Sequence, residues 1–123
     1  MRLKQLDASF LGSYEESSGS YRRQATMDGA QGIIFQCPKC AAGKEIQTED
    51  GRQFVVGVHS VICWFKNPRN APCVPDSVSP GPGRWNAFGT GLDDLTFVGP
   101  GARSILLTSG CGWHGHVRDG DAS

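Results

Sequence analysis

The sequence predicts one small, mostly β domain, and three observations lead to that prediction. The chain has 123 residues, which is the size of a single domain. It contains 17 Gly and 7 Pro, a composition that favours many turns and short elements. Short runs of β-branched and aromatic residues recur along it, whereas no segment combines helix caps with a 3.6-residue apolar period. We therefore expect six or seven short strands with long loops.

The N-terminal third predicts two elements. The first thirty residues are polar, and we interpret residues 1–30 as a possible N-terminal arm, with a short strand or arm at 3–11 and a loose loop after it. Residues 32–36 (GIIFQ) are β-branched and aromatic, which predicts a short buried strand that runs directly into Cys37.

The middle of the chain predicts a long strand followed by a long loop. Residues 53–65 carry apolar side chains at both alternating sets of positions, which is typical of a central strand. Residues 66–84 contain five of the seven Pro, so this segment can form neither a regular helix nor a central strand. A loop of this length in a small domain is usually functional or wrapped over the surface.

The C-terminal third predicts four more strands. Residues 85–88 and 95–98 should pair across a turn that contains Gly89 and Gly91. Residues 104–108 (SILLT) predict another buried strand, and residues 115–118 predict the last one.

Composition and charge limit the classes of function. Lys plus Arg equals Asp plus Glu at 12 each, so the formal net charge is zero and a nucleic-acid partner is not indicated. No apolar run approaches the roughly 18 residues that a membrane span needs, and the N-terminus lacks the features of a signal peptide. The sequence thus predicts no membrane partner and a location in the cytoplasm of a bacterial host or in a virion. A reducing compartment such as the cytoplasm disfavours disulfides.

Two turns carry residues of the metal-ligand type, and each follows a short apolar strand. The first holds Cys37-x-x-Cys40 and the second holds Cys111-x-x-His114. A C-x-x-C turn directs two sulfur atoms and nearby backbone N–H groups at one point, which suits tetrahedral zinc. We therefore predict a structural Zn²⁺ site of two zinc knuckles formed by Cys37, Cys40, Cys111 and His114. Seventy residues separate the two turns, so the intervening strands must bring them together.

Several alternatives to this ligand set stay open. Cys37 and Cys40 could form a reduced turn beside a buried Cys111, or a redox pair, although no βαβ pattern surrounds them. His59 or Cys63 could replace His114 as the fourth ligand, while Cys63 is otherwise an inert core thiol. Cys73 lies in the Pro-rich loop and is expected to be a free thiol.

A catalytic metal is the other chemical alternative. Asp94, His116 or His59 could then act as a base for a zinc-bound water. That reaction requires an open coordination position, whereas four protein ligands usually close a site.

Five motifs of the chain carry a resemblance to a known family: FxCPxC at 35–40, HSVICW at 59–64, PGPGRW at 80–85, GLDDLT at 91–96 and CGWHG at 111–115. With these motifs the chain resembles a family of small phage and bacterial zinc-knuckle proteins of unassigned function. The resemblance covers about residues 30–120, and the paired knuckles are its most specific part. Some relatives carry the label "ammonia monooxygenase", an activity that belongs to a membrane complex and is not expected of a chain without a membrane segment.

The resemblance implies a phage or prophage origin and a β-rich zinc-binding fold, but no activity. Together with the neutral charge and the long loop, it leads to the hypothesis of a structural or protein-interaction module. Such a module would be a virion component or a factor that binds a phage or host protein. The alternative function is a small zinc-dependent hydrolase, and a nucleic-acid-binding zinc ribbon is the least favoured class.

Overall fold

Short antiparallel strands dominate the computed structural model, which describes residues 1–81, 83–98, 104–107 and 110–123. The predicted mostly β class is confirmed, although the described residues contain eleven strands rather than six or seven. The strands are β1 (Ser9–Glu15), β2 (Ser20–Gln24), β3 (Gly32–Gln36), β4 (Gln47–Glu49), β5 (Arg52–Phe54), β6 (Ser60–Trp64), β7 (Asn86–Phe88), β8 (Thr96–Val98), β9 (Ser104–Leu106), β10 (His114–Arg118) and β11 (Asp121–Ala122). A four-residue helix, α1 (Pro38–Ala41), and a 3-10 turn at Leu3–Gln5 complete the described elements.

The main sheet has the strand order β2-β1-β3-β6, and all its pairs are antiparallel. Its second strand, β1, belongs to the segment for which the sequence predicts a short strand or an arm. The strand is present from Ser9 onward and pairs with a strand on each side, and Leu3, Leu6 and Phe10 are fully buried, so residues 3–11 do not form an arm. The N-terminal segment therefore contributes to the main core and to the main sheet, while residues 13–26 stay exposed or half-buried.

Three smaller sheets surround the main one. Strands β7 and β8 pair antiparallel, as the sequence predicted for 85–88 and 95–98. Strands β9, β10 and β11 form a three-stranded sheet, so the predicted strand at 115–118 is present but is followed by one more. The predicted strand at 104–108 is observed over Ser104–Leu106, and Thr108 lies outside the described residues. Strands β4 and β5 form a separate hairpin.

The long central strand predicted at 53–65 is wrong in two respects. The segment contains β5 and β6, separated by a turn in which Gly57 has φ +78° and Val56 is 69% exposed. A glycine with this left-handed φ does not continue a regular strand, and the turn at Gly57 separates β5 from β6. In addition, β6 lies at the end of the order of the main sheet. Both faces of β6 are apolar because both are covered by other parts of the chain.

Two apolar clusters sandwich the main sheet. The larger one lies on the face that carries Val61 and Cys63 of β6, and it includes the buried apolar residues of the β7–β8 sheet and of the β9–β10–β11 sheet. Strands β4 and β5 contribute no buried residue. The smaller cluster consists of Leu11, Trp64 and Val74. Alternate residues of one strand therefore enter different clusters, as the pleat of a strand requires.

The Pro-rich segment 66–84 packs over the outer face of the main sheet. Val74 is 1% exposed, the indole N–H of Trp64 donates to the carbonyl of Ser79, and the amide of Gln31 donates to the carbonyl of Pro72. The Arg84 guanidinium donates to carbonyls of the same segment, including that of Pro75 at 2.7 Å. This segment is thus wrapped over the surface, one of the two roles expected of it, and it covers the side of β6 that would otherwise be exposed.

Helical structure is minor in this fold. Pro38 occupies the first position of α1, where its missing N–H costs no hydrogen bond, and the helix ends after one turn. Among the described residues, no helix has both the length and the apolar character needed to cross a membrane.

Gln36 is a buried polar residue that connects the end of β3 to the turn before β6. Its side-chain amide donates to the carbonyl of Val55 at 2.8 Å, and its side-chain carbonyl accepts from the N–H of Val55 at 2.7 Å. A weaker contact reaches the carbonyl of Val58 at 3.4 Å. The turn that leads to residue 59 is therefore held against the strand that leads to Cys37.

We expect Gln36→Leu to lower the free energy of unfolding by about 1–3 kcal/mol, because the buried N–H and C=O of Val55 lose their partners while the side-chain volume is nearly kept. Chemical denaturation measures the effect. Gln47→Leu, at an exposed position of β4, is the matched control and should change stability little. Equal effects of the two substitutions would contradict the role assigned to Gln36.

Candidate metal centre

The first pair of metal-type side chains is positioned by the junction of β3 and α1. Cys37 follows the last residue of β3 and is fully buried, and its carbonyl accepts from the N–H of Ala41 at 3.0 Å. This single helical turn brings Cys40 back beside Cys37. The CPxC sequence folds in this way because Pro38 favours a helix start and the short helix needs no further length.

His59 reaches the same place through the pairing of β3 with β6. The register aligns Gln36 with Ser60, so the residue after β3 lies opposite the residue before β6. The N–H of Cys37 donates to the carbonyl of His59 at 3.0 Å, which continues the ladder by one step. The imidazole is therefore set beside the Cys37 sulfur by main-chain hydrogen bonding.

Cys111 comes from a different part of the fold, the turn between β9 and β10. The N–H of Leu107 donates to the carbonyl of Trp113 at 2.8 Å, which closes this turn at its base. Two contacts hold the turn against the first knuckle. The Lys39 ammonium donates to the carbonyl of Cys111 at 2.7 Å, and Trp113 packs edge-on against Phe35 with ring centroids 6.0 Å apart. The two knuckles therefore face one another, as the sequence predicted.

The ligand atoms of Cys37, Cys40, His59 and Cys111 all lie within 4.8 Å of one another. The sulfur atoms of Cys37 and Cys111 are 3.5 Å apart, and the Cys111 sulfur is 3.4 Å from Nε2 of His59. The cysteines are free thiols rather than a disulfide. Three sulfur atoms and one imidazole nitrogen that converge in this way can hold a metal ion.

The thiols of this group differ in acidity. Burial raises the pKa of Cys37 to about 11, although the backbone N–H groups of Cys40 and Lys39 oppose the shift. Burial also acts to raise the pKa of Cys111, but its contact with His59 and the N–H of Trp113 outweigh burial and lower that pKa to about 6. A metal ion binds thiolates, so Cys111 offers an anionic sulfur near neutral pH while Cys37 must release a proton on binding.

The predicted ligand set requires one change. The structure brings together Cys37, Cys40 and Cys111, but the fourth member of the group is His59, and His114 is not part of it. His114 begins β10, where it pairs with Leu106 of β9. Its side chain is exposed, and the centroid of its ring lies 6.3 Å from the ring centroid of His116. Residues alternate across a strand, so the buried Trp113 places His114 on the outer face.

A signal for His59 was present in the sequence. Residues 32–36 and 60–64 are both short apolar segments, and antiparallel pairing between them places the residue that follows 32–36 beside the residue that precedes 60–64. The sequence nevertheless predicts His59 only as a possible replacement for His114, because the apolar pattern of 53–65 indicates one uninterrupted strand. Within such a strand, residue 59 would lie far from either end.

The remaining sequence candidates lie outside the group. Cys63 is fully buried, and burial raises the pKa of its thiol, as expected of a core residue. Cys73 is exposed, with its sulfur 3.2 Å from the carbonyl of Lys66. The carboxylate of Asp94 accepts from the backbone N–H groups of Thr90 and Gly91, and these hydrogen bonds lower its pKa. Asp94 thus stabilises the turn between β7 and β8.

A groove of about 580 Å³ extends from His59 between β6 and β9. Ile62, Trp85 and Leu106 contribute apolar side chains to it, and the Leu106 side chain is 61% exposed. Its described lining contains no Asp, Glu, Lys or Arg. The groove gives the metal centre an apolar neighbouring surface.

Comparison with known proteins finds no family model, no curated protein and no solved structure that matches the chain significantly. The resemblance inferred from its motifs therefore stays a prediction.

The choice between the two histidines is directly testable. We expect His59→Ala to lower the metal affinity by about 100-fold or more, which exceeds the usual cost of losing an outer-shell partner. His114→Ala, which removes an equally exposed imidazole outside the group, should leave the affinity unchanged. Competition with a chromophoric chelator measures both affinities. If His114→Ala weakens binding and His59→Ala does not, the original ligand set is correct.

Proposed function

We propose that this chain is a zinc-stabilised, β-rich interaction module that acts by binding a protein partner. The observation that carries the proposal is the convergence of four ligand atoms, from three separate segments, within 4.8 Å. Such a site cross-links the fold, and its presence accounts for the stability of a chain with many loops and short strands.

Zinc is the ion that these ligands fit best. Tetrahedral zinc with sulfur at about 2.3 Å and nitrogen at about 2.0 Å separates two sulfur ligands by about 3.8 Å and a sulfur from a nitrogen by about 3.5 Å. The distances of 3.5 Å between Cys37 and Cys111 and of 3.4 Å between Cys111 and His59 are close to these values. Three soft thiolates and one imidazole also disfavour calcium and magnesium, which prefer oxygen ligands.

A structural role follows from the number and origin of the ligands. Cys37, Cys40 and His59 belong to the main sheet and its continuation, whereas Cys111 belongs to the turn before β10. An ion bound by all four would join the main sheet to the three-stranded sheet. Four protein ligands fill a tetrahedral zinc site, whereas a hydrolase needs a position for water. The Asp94 carboxylate accepts hydrogen bonds from Thr90 and Gly91 of its own turn, which disfavours its use as the base of a hydrolase.

The groove beside His59 supports a protein as the partner. Its uncharged, apolar lining and the exposed Leu106 side chain fit a segment of another protein that presents apolar side chains. The zero net charge of the chain gives no general attraction for nucleic acid. The proposal also includes the phage or prophage origin that the motif resemblance implies. With that origin, we propose that the chain acts in the virion or in the cytoplasm of the bacterial host.

We expect the purified chain to contain one zinc ion, and its removal by a chelator should lower Tm by on the order of 10 °C or unfold the chain. Elemental analysis and calorimetry measure both quantities. Replacement by Co²⁺ should give the visible absorption of a tetrahedral site with thiolate ligands. Cys111→Ala should lose the metal, and Cys73→Ala, at an exposed thiol outside the group, should keep it. A Cys111→Ala chain that retains its zinc and its stability would contradict the proposal.

The partner surface can be tested in the phage whose genome encodes the chain. If the chain is a virion component, Leu106→Asp should reduce its amount in purified particles by about tenfold, because a charge in an apolar contact leaves that charge desolvated. Val56→Asp, at a similarly exposed apolar position outside the groove, is the matched control. Quantitative mass spectrometry of particles and lysate measures the distribution. A chain absent from particles acts instead in the host cytoplasm, and equal incorporation of the two variants would contradict the assigned surface.

A further inference from the structure

A second cleft lies away from the metal centre, between the 3-10 turn at Leu3–Gln5 and β5. Its volume is about 840 Å³, and its lining includes none of the four residues of the metal group. Clefts of this size are typical of small-molecule sites. The feature that distinguishes it is its charge.

Four cationic side chains line this cleft, namely Arg2, Lys4, Arg23 and Arg52, and Asp7 is the acidic residue of its lining. A carboxylate oxygen of Asp93 also binds the Lys4 ammonium at 2.9 Å. These four cationic and two acidic side chains together carry a net charge of +2, whereas the formal net charge of the whole chain is zero. An uneven distribution of this kind favours an anionic ligand at this position.

Arg23 and Arg52 approach Asp7 from two sides. Nε of Arg52 is 3.4 Å from a carboxylate oxygen of Asp7, and Nη1 of Arg23 is 3.4 Å from the Asp7 carbonyl and from the hydroxyl of Ser9. Within the described part of the chain, the Nη atoms of Arg52 and Nη2 of Arg23 have no hydrogen-bond partner. Both guanidinium groups therefore approach the same residue, Asp7, and each keeps N–H donors of the kind that bind phosphate oxygens.

The other contacts of the cleft leave its positive charge in place. The Arg2 guanidinium donates to the carbonyls of Asp119 at 2.7 Å and Asp93 at 2.9 Å, and carbonyls accept hydrogen bonds without neutralising a charge. Ala8 and Leu92 provide an apolar part of the wall. The cleft therefore combines donors for an anion with a surface for an organic group.

We propose that this cleft binds a small phosphorylated molecule of about nucleotide size, with Arg23 and Arg52 contacting its phosphate groups. A polynucleotide is disfavoured because the positive charge is confined to one cleft and the chain has no net positive charge to follow a longer backbone. The site goes beyond the zinc-stabilised module and does not depend on it.

The test is titration calorimetry of the full chain, with its metal, against ADP, inorganic pyrophosphate and adenosine. ADP and pyrophosphate should bind, and adenosine should bind at least tenfold more weakly than ADP. Arg23→Ala and Arg52→Ala should each weaken ADP binding by about tenfold or more, the effect expected from loss of a charge-assisted hydrogen bond. Circular dichroism and metal content verify that each variant is folded.

Arg22→Ala is the matched control, because Arg22 is an exposed neighbour on β2 that does not line the cleft. This variant should bind ADP as the parent chain does. The proposal is overturned if neither phosphate probe binds at millimolar concentration, or if Arg22→Ala weakens binding as much as Arg23→Ala. Tighter binding of a single-stranded oligonucleotide than of ADP would also overturn it, in favour of nucleic acid.

Discussion

The antiparallel pairing of β3 with β6 is the interaction on which the candidate metal centre depends. This pairing aligns Cys37, which follows β3, with His59, which precedes β6. A main-chain hydrogen bond between the two residues sets them side by side. The same register allows Gln36 to bind the turn at Val55. A slip of one residue would turn every side chain of β6 to the opposite cluster and remove His59 from the site.

The second half of the site is held by contacts of a different kind. Within the described residues, no strand of the main sheet pairs with β9, β10 or β11. Instead, the Lys39 ammonium reaches the Cys111 carbonyl, and Trp113 packs against Phe35 beneath the knuckle. An ion at the four ligands adds a bond between these two sheets. The metal group thus lies where side-chain contacts, rather than strand pairing, hold the two sheets together.

The proposed functions rely on surfaces that surround the structural centre. The number of its ligands suits the Cys37 group to a structural role, whereas the uncharged groove beside His59 and the cationic cleft at Arg23 and Arg52 remain accessible to other molecules. A zero net charge for the whole chain conceals this difference between the two surfaces. Local charge, which depends on the arrangement of strands, determines which ligand each surface favours.

The sequence by itself determined the β class, the pairing of 85–88 with 95–98 and the three cysteines of the metal group, because composition, turn residues and C-x-x-C spacing are local properties. Only the tertiary structure decided the fourth member. His59 enters the group because β6, which begins after the turn at Gly57, pairs with β3, whereas His114 is directed outward by alternation after the buried Trp113. It also placed Leu3, Leu6 and Phe10 of the N-terminal segment within the core. Pairing partners and register depend on contacts between segments distant in sequence, which local patterns do not specify.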